Sequence, residues 1–187
     1  GKLENVYENH ISKIIGLAMS SKFGVGNAHF RTAKKDGYVD TVAFGAYKNE
    51  IFDKVGYFDE NLVRNQDDEF NYRLIKGGYK IYLSLKIKCK YYVRASYKKL
   101  FRQYYQYGYW KVLVNKNHKT VTSLRQIVPL FFVLFIIFSL VIGLVVRESI
   151  QISIAIYFIY FVLSLKSSLK LSKNIKCILK ISYVFLL

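Results

Sequence analysis

The apolar positions of this chain change rhythm along its length. Over Glu8–Ser21, "ENHISKIIGLAMSS", the residues Ile11, Ile14, Ile15, Leu17 and Ala18 recur at helical spacing, which predicts a helix with one core-facing stripe. "FGVGNAHFR" (Phe23–Arg31) follows, with Gly24 and Gly26 flanking Val25. A phosphate cradle would need a strand before it and a helix after it; here the order is reversed, so the segment reads as a turn. Tyr38–Lys48, "YVDTVAFGAYK", has the β-branched and aromatic content of a strand. "KNEIFDKVG" predicts a short helix stopped by Gly56, and Tyr57–Leu62 a loop. A helix over about Gln66–Lys76 turns Phe70 and Leu74 inward, ends at Gly77–Gly78, and leads into a strand in "YKIYLSL".

Further along, the alternation disappears. Ile127–Val146 has no charged residue over 20 positions, and at about 1.5 Å per residue it matches the ~30 Å bilayer core. Ile150–Leu165 is a second apolar run of 16 residues, extendable through Ser149 and Ser167–Ser168. Only Arg147–Ser149 lies between the two, so the pattern predicts a transmembrane hairpin, with a third span starting near 178–187. A buried core helix is the competing reading of the first run.

Charge orients that hairpin. The chain has 29 Lys+Arg against 12 Asp+Glu, a formal net charge of +17. Eight basic residues and no acid fall between Arg94 and Arg125, and Lys166, Lys170, Lys173, Lys176 and Lys180 follow the second run. Positive flanks stay in the cytoplasm, which places residues 1–93 in the cytosol and the protein, multi-pass, in the inner (plasma) membrane. The charge is accounted for by topology and anionic lipid, and no recognition helix or zinc spacing points to nucleic acid. Cys89 and Cys177 form no CxxC, and a cytosolic setting argues against a disulfide. His10, His29 and His118 are isolated and read as surface or packing residues.

Against this basic background, "VRNQDDEFNYRLIKGGYKI" sets Asp67, Asp68 and Glu69 side by side. One reading is a helix start, with Asn65 as N-cap and Asp68 reaching back as in a capping box. Negative charge in a first turn is favoured there by about 0.3–1 kcal/mol each. Capping needs one or two of the three acids, however, and successive helical residues diverge by about 100°. The three cannot all point into one pocket, and if one is a catalytic base the others have different jobs.

From Gly24 to Ile81 the chain resembles the acceptor-side half of the inverting family 2 glycosyltransferases, the membrane-anchored kind typified by succinoglycan-biosynthesis enzymes. "RQYYQYGYWK" (Arg102–Lys111) and the terminal spans extend the resemblance over nearly the whole chain. It implies an α/β fold: a partial GT-A domain over 1–95, a basic interfacial helix and linker over 96–125, and transmembrane helices over 126–187. It implies Asp67 as general base, with Arg73 closing the motif and Glu69 as its second acid. Gln66 stands where the family has Glu, and Asp68 is the fallback base. Gly45 would permit close backbone approach to the acceptor. Gln106 and Trp110 fit a degenerate Gln-x-x-Arg-Trp pattern, with Tyr109 replacing its Arg, and would contact the acceptor. On the helix that carries them, Leu100, Phe101, Tyr104 and Tyr105 would meet lipid, and Lys98, Lys99 and Arg102 headgroups.

The implied partners are a nucleotide-sugar donor, a saccharide or lipid-linked acceptor and membrane lipids. The implied product is extracellular or capsular polysaccharide. The family's Mg2+ or Mn2+ is held by an Asp-x-Asp, which this chain lacks. The expectation is therefore a C-terminal portion of a longer enzyme, inactive alone, whose metal and donor site lie on a preceding half. Two alternatives stand beside it. One is a membrane-anchored interaction module whose acids only cap a helix. The other is a two-metal nuclease, which needs Asp67 and Glu69 to converge with Asp36, Asp40, Asp53, Asp59 or Glu60.

Overall fold

The computed structural model describes residues 1–121 and 127–187; Arg125, counted above in the basic flank, lies outside them. The described residues form two compact units, one of residues 1–121 and one of residues 127–186.

The first unit opens with β1 (Lys2–Val6), which the hydrophobic pattern did not reveal. It pairs in parallel with β4 (Lys88–Tyr92), Leu3 opposite Cys89 and Val6 opposite Tyr92. Lys88 Nζ reaches Glu4 Oε1 across the pair at 2.7 Å. Such a pair requires a long crossover, and the chain between Val6 and Lys88 supplies it. Helix α1 (His10–Met19) is capped reciprocally: Asn9 Oδ1 accepts the Ser12 N–H at 2.8 Å, and Ser12 Oγ accepts the Asn9 N–H at 2.9 Å. Ile14, Ile15 and Ala18 from the expected stripe are buried. The expected turn at 23–31 holds two single-turn helices, α2 (Lys22–Val25) and α3 (His29–Thr32).

The strand expected over Tyr38–Lys48 is much shorter. Strand β2 (Gly37–Val39) pairs antiparallel with β3 (Ile81–Leu83), and residues 40–48 then run irregularly, with Phe44 at φ 52°. The cause is a side chain rather than a propensity. Asn71, fully buried, donates to Thr41 Oγ1 at 2.8 Å and to the Val42 carbonyl at 3.0 Å. The Val42 carbonyl, which could have continued a ladder, is satisfied by that amide instead. Helix α4 (Asn49–Val55) stops at Gly56, whose φ of 85° favours glycine.

Helix α5 (Gln66–Lys76) has the expected bounds. It anchors a core of Val42, Phe70, Leu74, Ile81 and Leu83. Phe70 is completely buried, edge-on to Tyr47 at 4.8 Å and stacked on Phe52 at 5.3 Å. Removing such a ring costs about 3–5 kcal/mol. Helix α6 (Tyr97–His118) is capped by Ser96. Leu100, expected against lipid, is fully buried, whereas Phe101 and Tyr105 are exposed. Helix α6 thus turns one face into the protein and keeps an aromatic face open.

The second unit contains α7 (Val128–Val145), α8 (Glu148–Leu171) and α9 (Ile175–Val184). Two of its helices are long and apolar enough to cross a membrane. Helix α8 begins before the expected Ile150 and continues past Leu165. Ser168 Oγ meets Ser182 Oγ of α9 at 2.9 Å, and Tyr160 donates to the Phe185 carbonyl at 2.7 Å. These bonds let a moderately polar helix pack in an apolar setting.

Candidate active site

The acidic cluster sits where α5 begins and α6 crosses it. Asn65 adopts a left-handed φ of 65° rather than the extended geometry of a side-chain N-cap. Its amide therefore reaches away from the α5 amides and donates to the Tyr107 carbonyl of α6 at 2.9 Å. The expected capping box does not form. Asp67 takes over part of the task, its Oδ1 accepting the Asp68 N–H at 2.9 Å.

The three acids then diverge to three environments. Glu69 is buried, 4 % exposed, and accepts a two-pronged pair from Arg73, Nε to Oε1 at 2.7 Å and Nη2 to Oε2 at 2.9 Å. Arg73 also donates to the Tyr57 carbonyl at 2.6 Å and to that of Val55, and it lies over the Phe70 ring. A buried pair of this kind holds only with further hydrogen bonds around it, and this one has them. His118, expected as an isolated surface or packing residue, completes the group: its Nε2 lies 2.8 Å from Glu69 Oε1. Asp68 pairs with Lys111, whose side chain is only 9 % exposed.

Asp67 is left without a direct ion pair among the described residues. Its residue surface is open to solvent, yet neighbouring atoms crowd the carboxyl enough that desolvation, reinforced by the Asp68 charge, raises its pKa. The backbone N–H groups of Asp68 and Asp67 and the Lys111 ammonium pull the other way without prevailing. Two phenols feel its charge. Tyr47 is pushed up to about 12 by burial first and by Asp67 second, while its hydroxyl donates to Asn71 Oδ1 at 2.9 Å. Tyr107 is also raised, by burial first, with Asp67 a smaller contributor.

The remaining expected site residues, Gly45, Gln106 and Trp110, have local contacts of their own. A Cβ on Gly45 would stand 2.6 Å from the Tyr47 hydroxyl, so the bare glycine lets Tyr47 reach Asn71. Gln106 Oε1 accepts from Arg64 Nε at 3.4 Å, joining α6 to the segment before α5. Trp110 lies edge-on to Tyr109 at 5.6 Å. Tyr47, Asn71, Lys111 and His118 escaped the sequence reading. For two of them a signal existed: Lys111 and His118 share a helical stripe with Leu100, Gln103, Tyr107 and Val114. A charged residue on the inward stripe of a helix implies a buried partner.

Among the described residues no group of three or more His, Cys, Asp or Glu side chains converges as a metal cage. Asp68 and Glu69 are committed to Lys111 and to Arg73 with His118, so they do not share ligands with Asp67. Among the described residues the convergence required of a two-metal nuclease is not found.

No family model and no solved structure matches the chain. Two curated proteins do. Succinoglycan biosynthesis protein ExoA of Rhizobium meliloti is 33 % identical over 128 residues, 68 % of this chain and 39 % of that protein. The dolichyl N-acetyl-alpha-D-glucosaminyl phosphate 3-beta-D-2,3-diacetamido-2,3-dideoxy-beta-D-glucuronosyltransferase of Methanococcus voltae is 31 % identical over 138 residues, 73 % of this chain and 43 % of that protein. The chain thus spans about two fifths of the length of the curated relatives it matches. Both relatives belong to polysaccharide or glycolipid synthesis, and with them this chain belongs to the family 2-like glycosyltransferases.

Proposed function

We propose that this chain supplies the base and acceptor side of an inverting sugar transfer from a nucleotide-sugar to a saccharide or lipid-linked acceptor, at a membrane surface. The observation that carries this reading is the separation of the three acids. Lys111 holds Asp68, Arg73 and His118 hold Glu69, and of the three only Asp67 keeps a carboxylate with no cation bound directly to it.

A sugar hydroxyl is a very weak acid, so its attack on an anomeric carbon needs a base within hydrogen-bond reach. Asp67 takes the hydroxyl proton as the new C–O bond forms. The bond from the anomeric carbon to the nucleoside diphosphate breaks in the same displacement, inverting that centre. The raised pKa makes Asp67 a better proton acceptor than an ordinary aspartate. Glu69, Arg73 and His118 act as positioning residues that fix α5 beneath it. The chemistry of the leaving diphosphate, and any metal there, belongs to residues other than these.

In the full-length protein, Asp67→Asn abolishes transfer while nucleotide-sugar binding stays near that of wild type, measured by product formation and by equilibrium binding. Retained transfer would overturn the assignment and move the base to Asp68. Unchanged activity for both the Asp67→Asn and Asp68→Asn variants would leave only the helix-capping role.

A further inference from the structure

Phe44 combines exposure with backbone strain. Its φ of 52° lies in the left-handed region, and 63 % of its surface is open to solvent. A bulky side chain at positive φ is an outlier. Such strain persists only where the surrounding structure over-determines it, and it gathers at active sites and ligand clamps. The other described non-glycine residues with positive φ, Asn65 and Lys119, stand at helix ends, where the chain must change direction. Phe44 ends no helix, and its ring is not buried in the core.

The loop that carries it is fixed to α5 at both ends. Val42 lies in the core with Phe70, and Tyr47 stands edge-on to the same ring at 4.8 Å. Asn71, fully buried, binds the same two ends. It donates to Thr41 Oγ1 at 2.8 Å and to the Val42 carbonyl at 3.0 Å, and its Oδ1 accepts the Tyr47 hydroxyl at 2.9 Å. Asn71 follows Asp67 by four residues and so shares its face of α5. Helical side chains lean toward the N-terminus, so the clamp draws the loop to the end of α5 where Asp67 stands. Tyr47 feels the Asp67 charge, and a Cβ on Gly45 would stand 2.6 Å from the Tyr47 hydroxyl. The chain next to Phe44 therefore passes beside a hydroxyl that is bonded one helical turn from Asp67.

We propose that Phe44 is the platform on which the acceptor's sugar ring lies while one of its hydroxyls meets Asp67. This deepens the sugar-transfer reading and rests on it. A pyranose gathers axial C–H bonds on its faces, and those hydrogens carry slight positive charge that the negative face of an aromatic ring attracts. Stacking also takes apolar area of both partners out of water. A phenyl ring offers no hydrogen bond, so it fixes the plane of the sugar and leaves the hydroxyls free to react. A nucleobase of the donor would stack on the same ring. The acceptor is favoured because its hydroxyl must come within hydrogen-bond reach of Asp67, and the clamp at Asn71 ties the Phe44 loop to that end of α5.

The test measures binding by the full-length protein in nanodiscs, by saturation-transfer NMR. The acceptor-type probes are the methyl β-glycosides of glucose, galactose and N-acetylglucosamine, and uridine diphosphate is the donor-type probe. At least one glycoside is expected to bind the wild type, with saturation strongest on its axial ring hydrogens. Phe44→Ala is expected to weaken that glycoside about tenfold, the worth of one aromatic stack, and to leave uridine diphosphate unchanged. Phe44→Trp should restore the affinity. Because Phe44 is exposed, Phe44→Ala is expected to melt like the wild type. Binding of none of the three glycosides, or unchanged glycoside affinity in Phe44→Ala, overturns the platform. A loss confined to uridine diphosphate overturns the acceptor assignment. A Phe44→Ala protein that melts well below the wild type would show the ring packed within the full-length fold, which also overturns it. Asp67→Asn is expected to bind the glycoside as the wild type does. Failure of the base assignment therefore appears only in transfer, and failure of the platform only in binding.

Discussion

At the scale of single residues, three adjacent carboxylates have acquired different characters from their surroundings alone. Glu69 and Asp68 are held by cations, whereas Asp67 is crowded without being paired. Its raised pKa has a consequence for stability. A carboxyl that binds its proton more tightly folded than unfolded contributes its full stability below the unfolded pKa and loses it as pH rises through the folded value. Ionised Asp67 therefore destabilises the fold at neutral pH. Asp67→Asn, always neutral and able to keep the hydrogen bond to the Asp68 N–H, is expected to melt above wild type at pH 7. The difference should vanish in acid, where Asp67 is protonated in both states. Thermal melts of the two proteins across that range check this. A variant that melts lower at neutral pH would mean that Lys111 stabilises the Asp67 charge more than burial opposes it. Such a penalty, retained at a single carboxylate without a direct ion pair, is what a catalytic base would exhibit.

At the scale of elements, the site depends on how α6 crosses α5. Lys111 is the buried half of that crossing, with Asp68 its partner. Lys111→Met keeps the length of the stem but removes the ammonium that pairs with a largely buried carboxylate, which costs on the order of 3 kcal/mol. Adding Asp68→Asn to it should recover most of the loss. Chemical denaturation of the two single variants and the double variant measures the coupling, and strictly additive losses would show that the pair contributes nothing. Legibility in the sequence followed the same division between local and distant causes. Helix α5 was readable to its ends, because its acidic first turn, its Phe70 and Leu74 and its Gly77–Gly78 stop are all local signals. Strands β1 and β4 were not, because each is only 5 residues long and is stabilised by a partner more than 80 positions away. The strand expected through Lys48 was overridden by one amide, Asn71. The carboxylates announced themselves, but the cations that sort them did not: Lys111 was concealed within a basic run, and His118 looked solitary. Both stand on the α6 stripe, and only the crossing of two helices brings that stripe to the acids.

At the scale of the whole molecule, the distribution of charge against apolar length makes a topological demand. The two long apolar helices are joined through Arg147, while exposed Lys98, Lys99 and Arg102 precede the first and a series of lysines follows the second helix's apolar part. If basic flanks remain in the cytoplasm, Asp67 shares the compartment in which nucleotide-sugars are made, and the joint at Arg147 faces outward. Placing a cysteine by Lys98→Cys or Arg147→Cys, in a background with Cys89 and Cys177 replaced by Ser, makes the demand measurable with a membrane-impermeant maleimide. Lys98→Cys is expected to label in inverted vesicles and to be protected in intact cells, and Arg147→Cys should show the reverse. The opposite pattern would put the carboxylates on the far side of the membrane from a cytoplasmic donor pool, and Asp67 could not then serve as the base of this transfer. Labelling of both positions from the same side would mean that the apolar hairpin does not span the bilayer. The acceptor would then have to meet Asp67 by some route other than a membrane surface beside α6.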